Sequence, residues 1–165
     1  MQRYVLICRH AETYDPYPLQ PDFERELTPE GIRKANETGK WVREKYQKVD
    51  ALVASPAKRA SATAQIIANR LYFDPEKITY DPEIYNPKEV QLLKALSQLP
   101  DTIVKVLIVS HNPALTQLAR NLVNRSLGYL EPAQTIAVTI DLKHWQDIYI
   151  TSGVVAADSL SESYK

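Results

Sequence analysis

Short apolar segments alternate with longer amphipathic segments along the chain. Three apolar runs, each bounded by polar residues or proline, lie at residues 4–8, 51–54 and 104–109. Runs without a polar face are typical of parallel strands that are buried on both sides. Apolar residues also recur at helical spacing on three faces. These faces contain Ile32, Ala35, Gly39, Val42 and Tyr46, then Ala60, Ala64, Ile67 and Leu71, and finally Leu115, Leu118, Ala119 and Leu122.

This alternation of strands and helices predicts an α/β fold. We expect a three-layer α/β/α sandwich, in which helices cover both faces of a mostly parallel central sheet. Residues 78–80 predict a further short strand. Residues 134–141 alternate between apolar and polar, and residues 148–151 follow after a polar connector, which together predict a closing hairpin or an edge pair.

Four helix starts are predicted from a polar residue followed by proline. These pairs are Thr28-Pro29, Ser55-Pro56, Asn86-Pro87 and Asn112-Pro113. The polar side chain can accept a hydrogen bond from a free N–H of the first turn, and proline already has a helical φ angle. Glu89 lies three residues after Asn86, which predicts a capping box and a helix that continues to about residue 99.

Residues 1–157 are expected to form a single domain, followed by a small, polar and frayed tail over residues 158–165. The segment 11–27 contains several prolines and aromatic residues and is longer than a usual connection. It is either a surface excursion packed by its own aromatic rings or a lid or specificity wall over a site, and its position favours neither interpretation.

Composition and charge narrow the range of partners. The chain has 165 residues, with 20 basic and 20 acidic side chains, so its formal net charge is zero. This balance excludes a broad cationic surface of the kind that binds nucleic acids or membranes. Neither a nucleic acid nor a membrane is therefore an expected partner. The one cysteine, Cys8, allows no internal disulfide and is expected in the core. No segment is long and apolar enough for a signal peptide or a membrane span, so a cytoplasmic location is expected.

Candidate chemistry collects where three predicted strands end. The first strand runs into Arg9-His10, the second into Ser55 with Arg59 four residues later, and the third into His111-Asn112. The carboxyl ends of parallel strands share one edge, so two imidazoles and two guanidinium groups are predicted to meet there. Guanidinium groups match phosphate oxygens, and a neutral imidazole can carry a phosphoryl group as a covalent intermediate. The sequence therefore predicts phosphoryl transfer.

These residues match a known family. The sequence resembles the histidine phosphatase superfamily, and in particular its short, SixA-type phosphohistidine phosphatases, over most of its length. Four ordered motifs are a strong signal, whereas an Arg-His pair alone is not. The matching segments are Leu6-Ile7-Cys8-Arg9-His10-Ala11, Asp22 with Arg25-Glu26-Leu27-Thr28-Pro29-Glu30-Gly31, Ser55-Pro56 with Arg59-Ala60 and Thr63-Ala64, and Val109-Ser110-His111-Asn112.

The resemblance implies a phosphoglycerate mutase-like fold and a metal-independent phosphatase that needs no cofactor. His10 would become phosphorylated, Arg9, Arg59 and His111 would hold the phosphoryl oxygens, and a carboxylate would protonate the leaving group. Glu83 is the candidate for this acid, because it follows a short strand and precedes a helix. The substrate would be a phosphorylated protein, with phosphohistidine preferred, or a small phosphorylated molecule.

Some residues near the predicted site have a structural interpretation beside the functional one. Ser55 and Asn112 are predicted to cap helices and also lie near enough to contact a bound phosphoryl group. Ala11 stands where the family most often has glycine, which would be strained if the position required a positive φ. His144 is expected on the surface, outside the site.

The alternatives to hydrolysis are a mutase of the same superfamily and a non-catalytic phosphate-binding regulatory module.

Overall fold

The computed structural model describes residues 1–162, which form a six-stranded sheet with helices on both faces. The strands are β1 Gln2–Arg9, β2 Ala51–Ala54, β3 Thr79–Tyr80, β4 Lys105–Ser110, β5 Thr135–Asp141 and β6 Val154–Asp158. The helices are α1 Pro29–Tyr46, α2 Lys58–Arg70, α3 Glu89–Ser97, α4 Ala114–Val123 and α5 Ser159–Glu162. Short 3₁₀ turns lie at Asp22–Glu24, Pro75–Lys77, Pro82–Ile84 and Trp145–Tyr149.

The strand order is β3-β2-β4-β1-β5-β6. The first four strands of this order are parallel, and β5 and β6 are antiparallel additions at one edge. The prediction of a mostly parallel sheet is confirmed. Because β2, β4 and β1 are parallel neighbours, their carboxyl ends lie side by side at one edge of the sheet.

Two apolar cores lie on opposite faces of the sheet. Within β1, Val5 and Ile7 point into one core and Leu6 and Cys8 into the other, as the alternation of a strand requires. Helices α3 and α4 close the first core, and α1 and α2 close the second. The three-layer α/β/α arrangement is therefore confirmed. Burial raises the pKa of the Cys8 thiol to about 12, consistent with the predicted core position.

The predicted helix starts are right in one case and early in three. Thr28 caps α1, and its Oγ1 accepts a hydrogen bond from the N–H of Gly31 at 2.9 Å. Helices α2, α3 and α4 begin one or two residues later than the proline that was predicted to open them. At α2 the reason is local, because Ser55 Oγ accepts the N–H of Ala57 at 3.2 Å and Ala57 remains extended.

The capping box predicted at Asn86 and Glu89 is wrong. The residue that precedes α3 is Lys88, and its backbone N–H donates to Oε1 of Gln91 at 2.7 Å. The contact between the capping residue and the side chain three residues later therefore joins Lys88 to Gln91, two residues further along the chain than predicted. Helix α3 ends at Ser97, close to the predicted residue 99.

The predicted pairing of the last strands is partly wrong. Strand β5 lies where it was predicted, but its antiparallel partner is β6 rather than residues 148–151. The first half of that segment, residues 148 and 149, belongs to the 3₁₀ turn that begins at Trp145. Trp145 and Ile148 are buried in the core beside α3, and the indole N–H of Trp145 donates to the Ile103 carbonyl at 2.9 Å. Burial of these side chains favours the compact turn over an extended strand.

The long segment after β1 is anchored at both ends. Thr13 and Leu27 form an isolated antiparallel bridge, and the N–H of Thr28 donates to the Glu12 carbonyl at 3.0 Å. Gly31 of α1 packs against the same peptide, because a Cβ at position 31 would lie 2.2 Å from the Glu12 carbonyl oxygen. Only glycine fits this close approach.

The end of the chain is more regular than predicted. Asp158 is the last residue of β6, and residues 159–162 form a single helical turn. The remainder of the predicted frayed tail, residues 163–165, lies outside the described residues. Within residues 1–162, no helix combines the length and the hydropathy that crossing a membrane requires.

Candidate active site

Three neighbouring strand ends bring the predicted site residues together. His10 follows β1, Ser55 follows β2 and His111 follows β4. The ring centroids of His10 and His111 are 5.1 Å apart. Arg9 and Arg59 lie close enough for their charges to act on both imidazoles. We refer to Arg9, His10, Arg59 and His111 as the quartet.

The ring of His10 is oriented by its own backbone. Its Nδ1 lies 2.8 Å from the carbonyl oxygen of Ala11, and this oxygen can only accept a hydrogen bond. Nδ1 therefore carries the proton, and Nε2 keeps its lone pair. Burial, together with the charges of Arg59 and Arg9, lowers the pKa of His10 to about 4. The ring is thus neutral at physiological pH.

Ala11 occupies the position after His10 without a positive φ angle. Its side chain is fully buried, and its N–H donates to Thr63 Oγ1 at 3.0 Å. The strain considered for an alanine at this position is therefore absent.

His111 is buried and held by Ser55. Its Nε2 lies 2.8 Å from Ser55 Oγ, while its buried Nδ1 has no hydrogen-bond partner within residues 1–162. Burial, with the neighbouring His10 and Arg59, lowers the pKa of His111 to about 3. A buried polar nitrogen without a partner is rare in folded proteins and is suited to receive a ligand.

Arg9 and Arg59 are fixed differently. Arg9 donates from Nη1 to the Leu130 carbonyl at 2.9 Å, and its buried Nε is another atom without a partner in the described chain. Burial lowers the pKa of the Arg9 guanidinium. Arg59 is only 7% exposed and donates from Nη1 to the Asp22 carbonyl at 2.8 Å and from Nη2 to Asp22 Oδ2 at 3.1 Å.

Two residues predicted to contact phosphate are engaged in structural hydrogen bonds. Asn112 donates from Nδ2 to the Leu130 carbonyl at 3.0 Å, and its Oδ1 accepts from Thr116 Oγ1 at 2.7 Å and from the Thr116 N–H at 3.2 Å. It thus ties the loop before β5 to the first turn of α4. Ser55 positions His111, as described above. Both residues therefore hold neighbouring parts of the site in place through these hydrogen bonds.

The predicted acid, Glu83, lies in the 3₁₀ turn after β3. Its side chain is exposed, and both carboxylate oxygens contact Lys94 Nζ of α3, at 3.0 and 3.1 Å. Within residues 1–162, the Glu83 carboxylate forms its hydrogen bonds and ion pair with Lys94 and none with a member of the quartet. His144 lies far along the chain and pairs with Asp101 at 2.7 Å on the surface.

Sequence reasoning did not assign three side chains that border the quartet. Asp22 and Arg25 come from the long segment after β1, and Tyr85 precedes α3. The charge of Arg25 acts on His10, and the Tyr85 ring lies 6.0 Å from the His111 ring. The sequence presents Asp22 and Arg25 only as parts of a motif, without a role in the site. No spacing pattern could predict a contact between Asp22 and a tyrosine 63 positions later.

The long segment is therefore part of the site wall. Its 3₁₀ turn packs against α2, and Asp22 bonds to Arg59 of that helix. Of the two interpretations left open by the sequence, the structure disfavours a surface excursion packed only by its own aromatic rings, because Phe23 packs against Tyr85 and Asp22 bonds to Arg59.

Comparison with known proteins agrees with this arrangement. Residues 5–85 match the histidine phosphatase superfamily (branch 1), and this stretch includes Arg9, His10, Ser55 and Arg59. Over this stretch the chain is similar to the histidine phosphatase superfamily. An uncharacterised protein of Mycobacterium tuberculosis is 29% identical over 149 residues, which cover 85% of this chain and 90% of that relative.

Solved structures of two proteins have the same fold. A protein of Nakamurella multipartitia named as a phosphohistidine phosphatase SixA matches with a TM-score of 0.82 at 22% identity, over 96% of this chain and 95% of that chain. A phosphoglycerate mutase of Plasmodium falciparum matches with a TM-score of 0.66 at 18% identity, over 94% of this chain and 89% of that chain. The predicted phosphoglycerate mutase-like fold is thus confirmed.

Proposed function

We propose that this protein is a metal-independent phosphatase that removes the phosphoryl group from a protein phosphohistidine in two steps through His10. The observation that carries the proposal is the hydrogen bond from His10 Nδ1 to the Ala11 carbonyl. It leaves Nε2 as an unprotonated nucleophile in a neutral ring, surrounded by cationic side chains that attract a phosphoryl group.

In the first step, the lone pair of His10 Nε2 forms a bond to phosphorus while the bond from phosphorus to the leaving group breaks. The guanidinium groups of Arg9 and Arg59 balance the negative charge on the phosphoryl oxygens. The unpartnered Nδ1 of His111 and Nε of Arg9 are polar atoms that a phosphoryl oxygen would satisfy. Binding then removes the cost of leaving these atoms unpaired.

In the second step, water attacks phosphorus and the bond to His10 Nε2 breaks. The phosphorylated ring still carries the Nδ1 proton that bonds to the Ala11 carbonyl, so it is cationic. It departs as neutral imidazole, and the electron pair of the broken bond returns to Nε2. The hydrogen bond therefore prepares His10 both as nucleophile and as leaving group.

The role of Glu83 as general acid remains a proposal. General acid catalysis contributes about 10²- to 10⁴-fold to the cleavage of poor leaving groups. A carboxylate engaged by Lys94 has to change its partner before it can protonate a leaving oxygen. A phosphohistidine substrate avoids this requirement, because its ring leaves with a proton already in place. This reasoning, together with the likeness to proteins named SixA, favours phosphohistidine over phosphate esters.

The test compares wild-type protein with His10→Ala, using phosphohistidine and p-nitrophenyl phosphate without added metal. We expect His10→Ala to lower kcat/KM for both substrates by roughly 10³-fold or more, because the nucleophile is removed. The wild-type protein should also form a phosphoenzyme that is labile in acid and stable in base, as detected by mass spectrometry.

His144→Ala is the matched control, because it removes an imidazole that pairs with Asp101 on the surface. Its activity should equal that of the wild type. Equal losses in both variants, or full activity in His10→Ala, would show that the reaction takes place elsewhere. Tight phosphate binding without turnover in the wild type would favour the non-catalytic binding module.

A further inference from the structure

An anionic side chain lies at the opening of the quartet. Asp22 Oδ2 accepts hydrogen bonds from Arg59 Nη2 at 3.1 Å and from Tyr85 Oη at 2.7 Å, and Oδ1 accepts from Arg25 Nη1 at 3.2 Å. The Asp22 side chain is 51% exposed, whereas those of Arg25 and Arg59 are 20% and 8% exposed. Asp22 is therefore the outermost of these charged groups.

The Asp22 carboxylate is fixed in its ionised form. Partial burial raises the pKa of Asp22, but the hydrogen bonds from Tyr85 and Arg25 and the charge of Arg59 outweigh this effect and lower the pKa to about 2. At neutral pH this group cannot donate a proton to a leaving group. It can accept a hydrogen bond and attract positive charge.

Aromatic rings flank this carboxylate. Phe23, the next residue, packs edge-on against Tyr85 with ring centroids 5.1 Å apart. The Tyr85 ring in turn lies 6.0 Å from the His111 ring and 6.0 Å from Arg59 Cζ. Phe23 is 41% exposed, so ring surface is available at the opening. Aromatic faces attract flat cations, and the Asp22 carboxylate, hydrogen-bonded to the Tyr85 hydroxyl, adds a directional acceptor beside these rings.

We propose that Asp22, Tyr85 and Phe23 form a leaving-group subsite that selects a positively charged nitrogen base. This inference rests on the proposed function, because it assumes that His10 receives the phosphoryl group. The class of substrate is a phosphoramidate whose leaving nitrogen belongs to a protonated base, such as an imidazole ring. Asp22 and Tyr85 are specificity-determining residues of this subsite.

The chemistry of the transfer follows from the charges. In an N-phosphorylated imidazole, one ring nitrogen bonds to phosphorus and the other carries a proton that Asp22 accepts as a hydrogen bond. His10 Nε2 forms its bond to phosphorus, and the electron pair of the breaking P–N bond passes to the leaving ring. The ring departs as neutral imidazole and retains its proton. No external acid is needed.

The same subsite opposes an ordinary aryl ester. When p-nitrophenyl phosphate reacts, negative charge develops on the leaving oxygen, and a fixed carboxylate nearby repels it. The subsite is therefore expected to discriminate between leaving groups by the sign of their charge. Such discrimination by a repulsive group is a common source of specificity.

The test measures kcat/KM for N-phosphoimidazole and for p-nitrophenyl phosphate at neutral pH in wild type and in Asp22→Asn. In Asp22→Asn we expect the ratio of kcat/KM for N-phosphoimidazole to kcat/KM for p-nitrophenyl phosphate to fall about tenfold. This is the effect of losing one charged hydrogen bond, reduced because the Asp22 side chain is half exposed to solvent. The rate with N-phosphoimidazole should fall while the rate with p-nitrophenyl phosphate rises. Tyr85→Phe keeps the ring and removes one hydrogen bond to Asp22, so the same ratio should fall by a smaller factor.

Glu24→Gln is the matched control, because it removes an equal charge from the same 3₁₀ turn. It should leave the ratio unchanged. If Asp22→Asn leaves the ratio unchanged, either because neither rate changes or because both change by the same factor, the inference is overturned. Asp22 would then only form a hydrogen bond with Arg59 in the empty site. If wild type hydrolyses neither substrate, or His10→Ala hydrolyses both at the wild-type rate, the proposed function fails and the inference falls with it.

Discussion

The neutral state of His10 and His111 is a product of folding. In an unfolded chain an imidazole titrates near pH 6.5, whereas burial beside arginine side chains lowers the pKa of His10 to about 4 and of His111 to about 3. At pH values between the folded and unfolded pKa of each histidine, the unfolded chain binds protons that the folded protein does not. Stability is then fully present above about pH 6.5 and is lost as the pH falls toward 4.

This difference predicts a pH-dependent free energy of unfolding. Between pH 8 and pH 5 we expect a loss of about 2–4 kcal/mol from the two histidines together. Urea unfolding at both pH values should show this loss in the wild type and a smaller one in His10→Asn and in His111→Asn. His144→Asn, which changes an exposed histidine, is the control. An identical pH dependence in all four proteins would contradict the assignment of depressed pKa values.

Ser55 supports His111 without belonging to the quartet. Its hydroxyl group lies 2.8 Å from His111 Nε2 and is fully buried. Ser55→Ala should lower kcat/KM about tenfold, because the His111 imidazole then loses the hydrogen bond that orients it. Ser61→Ala, on the outer part of α2, is the control. A wild-type pH profile and rate in Ser55→Ala would show that His111 is positioned by packing alone.

At the scale of elements, the site depends on contacts between helices and strand ends. Thr63 of α2 is fully buried, accepts the Ala11 N–H at 3.0 Å and donates to the Arg59 carbonyl at 2.8 Å. It thus joins the segment that orients His10 to the helix that carries Arg59.

Thr63→Val tests this junction with little change in shape. The substitution leaves the Ala11 N–H without its partner, which should cost about 1–3 kcal/mol of stability. Activity should fall as well, because the Ala11 peptide orients the His10 ring. Thermal unfolding and kcat/KM measure the two effects, and Thr79→Val on the exposed strand β3 is the control. Loss of stability without loss of activity would limit Thr63 to a structural role.

The elements that could be predicted are those whose signals are local. Strand β2 and the cap at Thr28 follow from short patterns of neighbouring residues, and the structure has both. Strand β6 could not be predicted, because the similarly apolar residues 148–151 compete with it. The outcome depends on burial of Trp145 against α3, which is a tertiary contact.

The same distinction holds for the site. His10 and His111 could be placed together, because parallel strands must end at one edge. The contact between Asp22 and Tyr85 could not be predicted, since it depends on how an irregular segment folds back over α2. The contact between Glu83 and Lys94 likewise joins a 3₁₀ turn to α3 and depends on how the chain folds between them.

At the scale of the whole molecule, zero net charge coexists with a concentrated cationic site. Long-range attraction of anions is therefore weak, and binding depends on the side chains that touch the ligand. Vanadate at a hundred times its Kd should stabilise the fold by about 2.7 kcal/mol and raise the Tm by roughly 5–10 °C.

Arg59→Ala should abolish most of this shift, because it removes a guanidinium group of the quartet. Arg33→Ala removes the same charge from the surface of α1, where Arg33 pairs with Glu30 and Glu37, and should keep the full shift. An equal loss of the shift in both variants would mean that the effect of vanadate is not local to the quartet.

The close approach of Gly31 to the Glu12 peptide couples two regions that a diagram of the fold separates. Glu12 is only two positions beyond His10, so even one added methyl group at the start of α1 has to push the backbone that orients the His10 ring. A helix that contributes no side chain to the quartet thereby limits how far the geometry of the quartet can change as mutations accumulate.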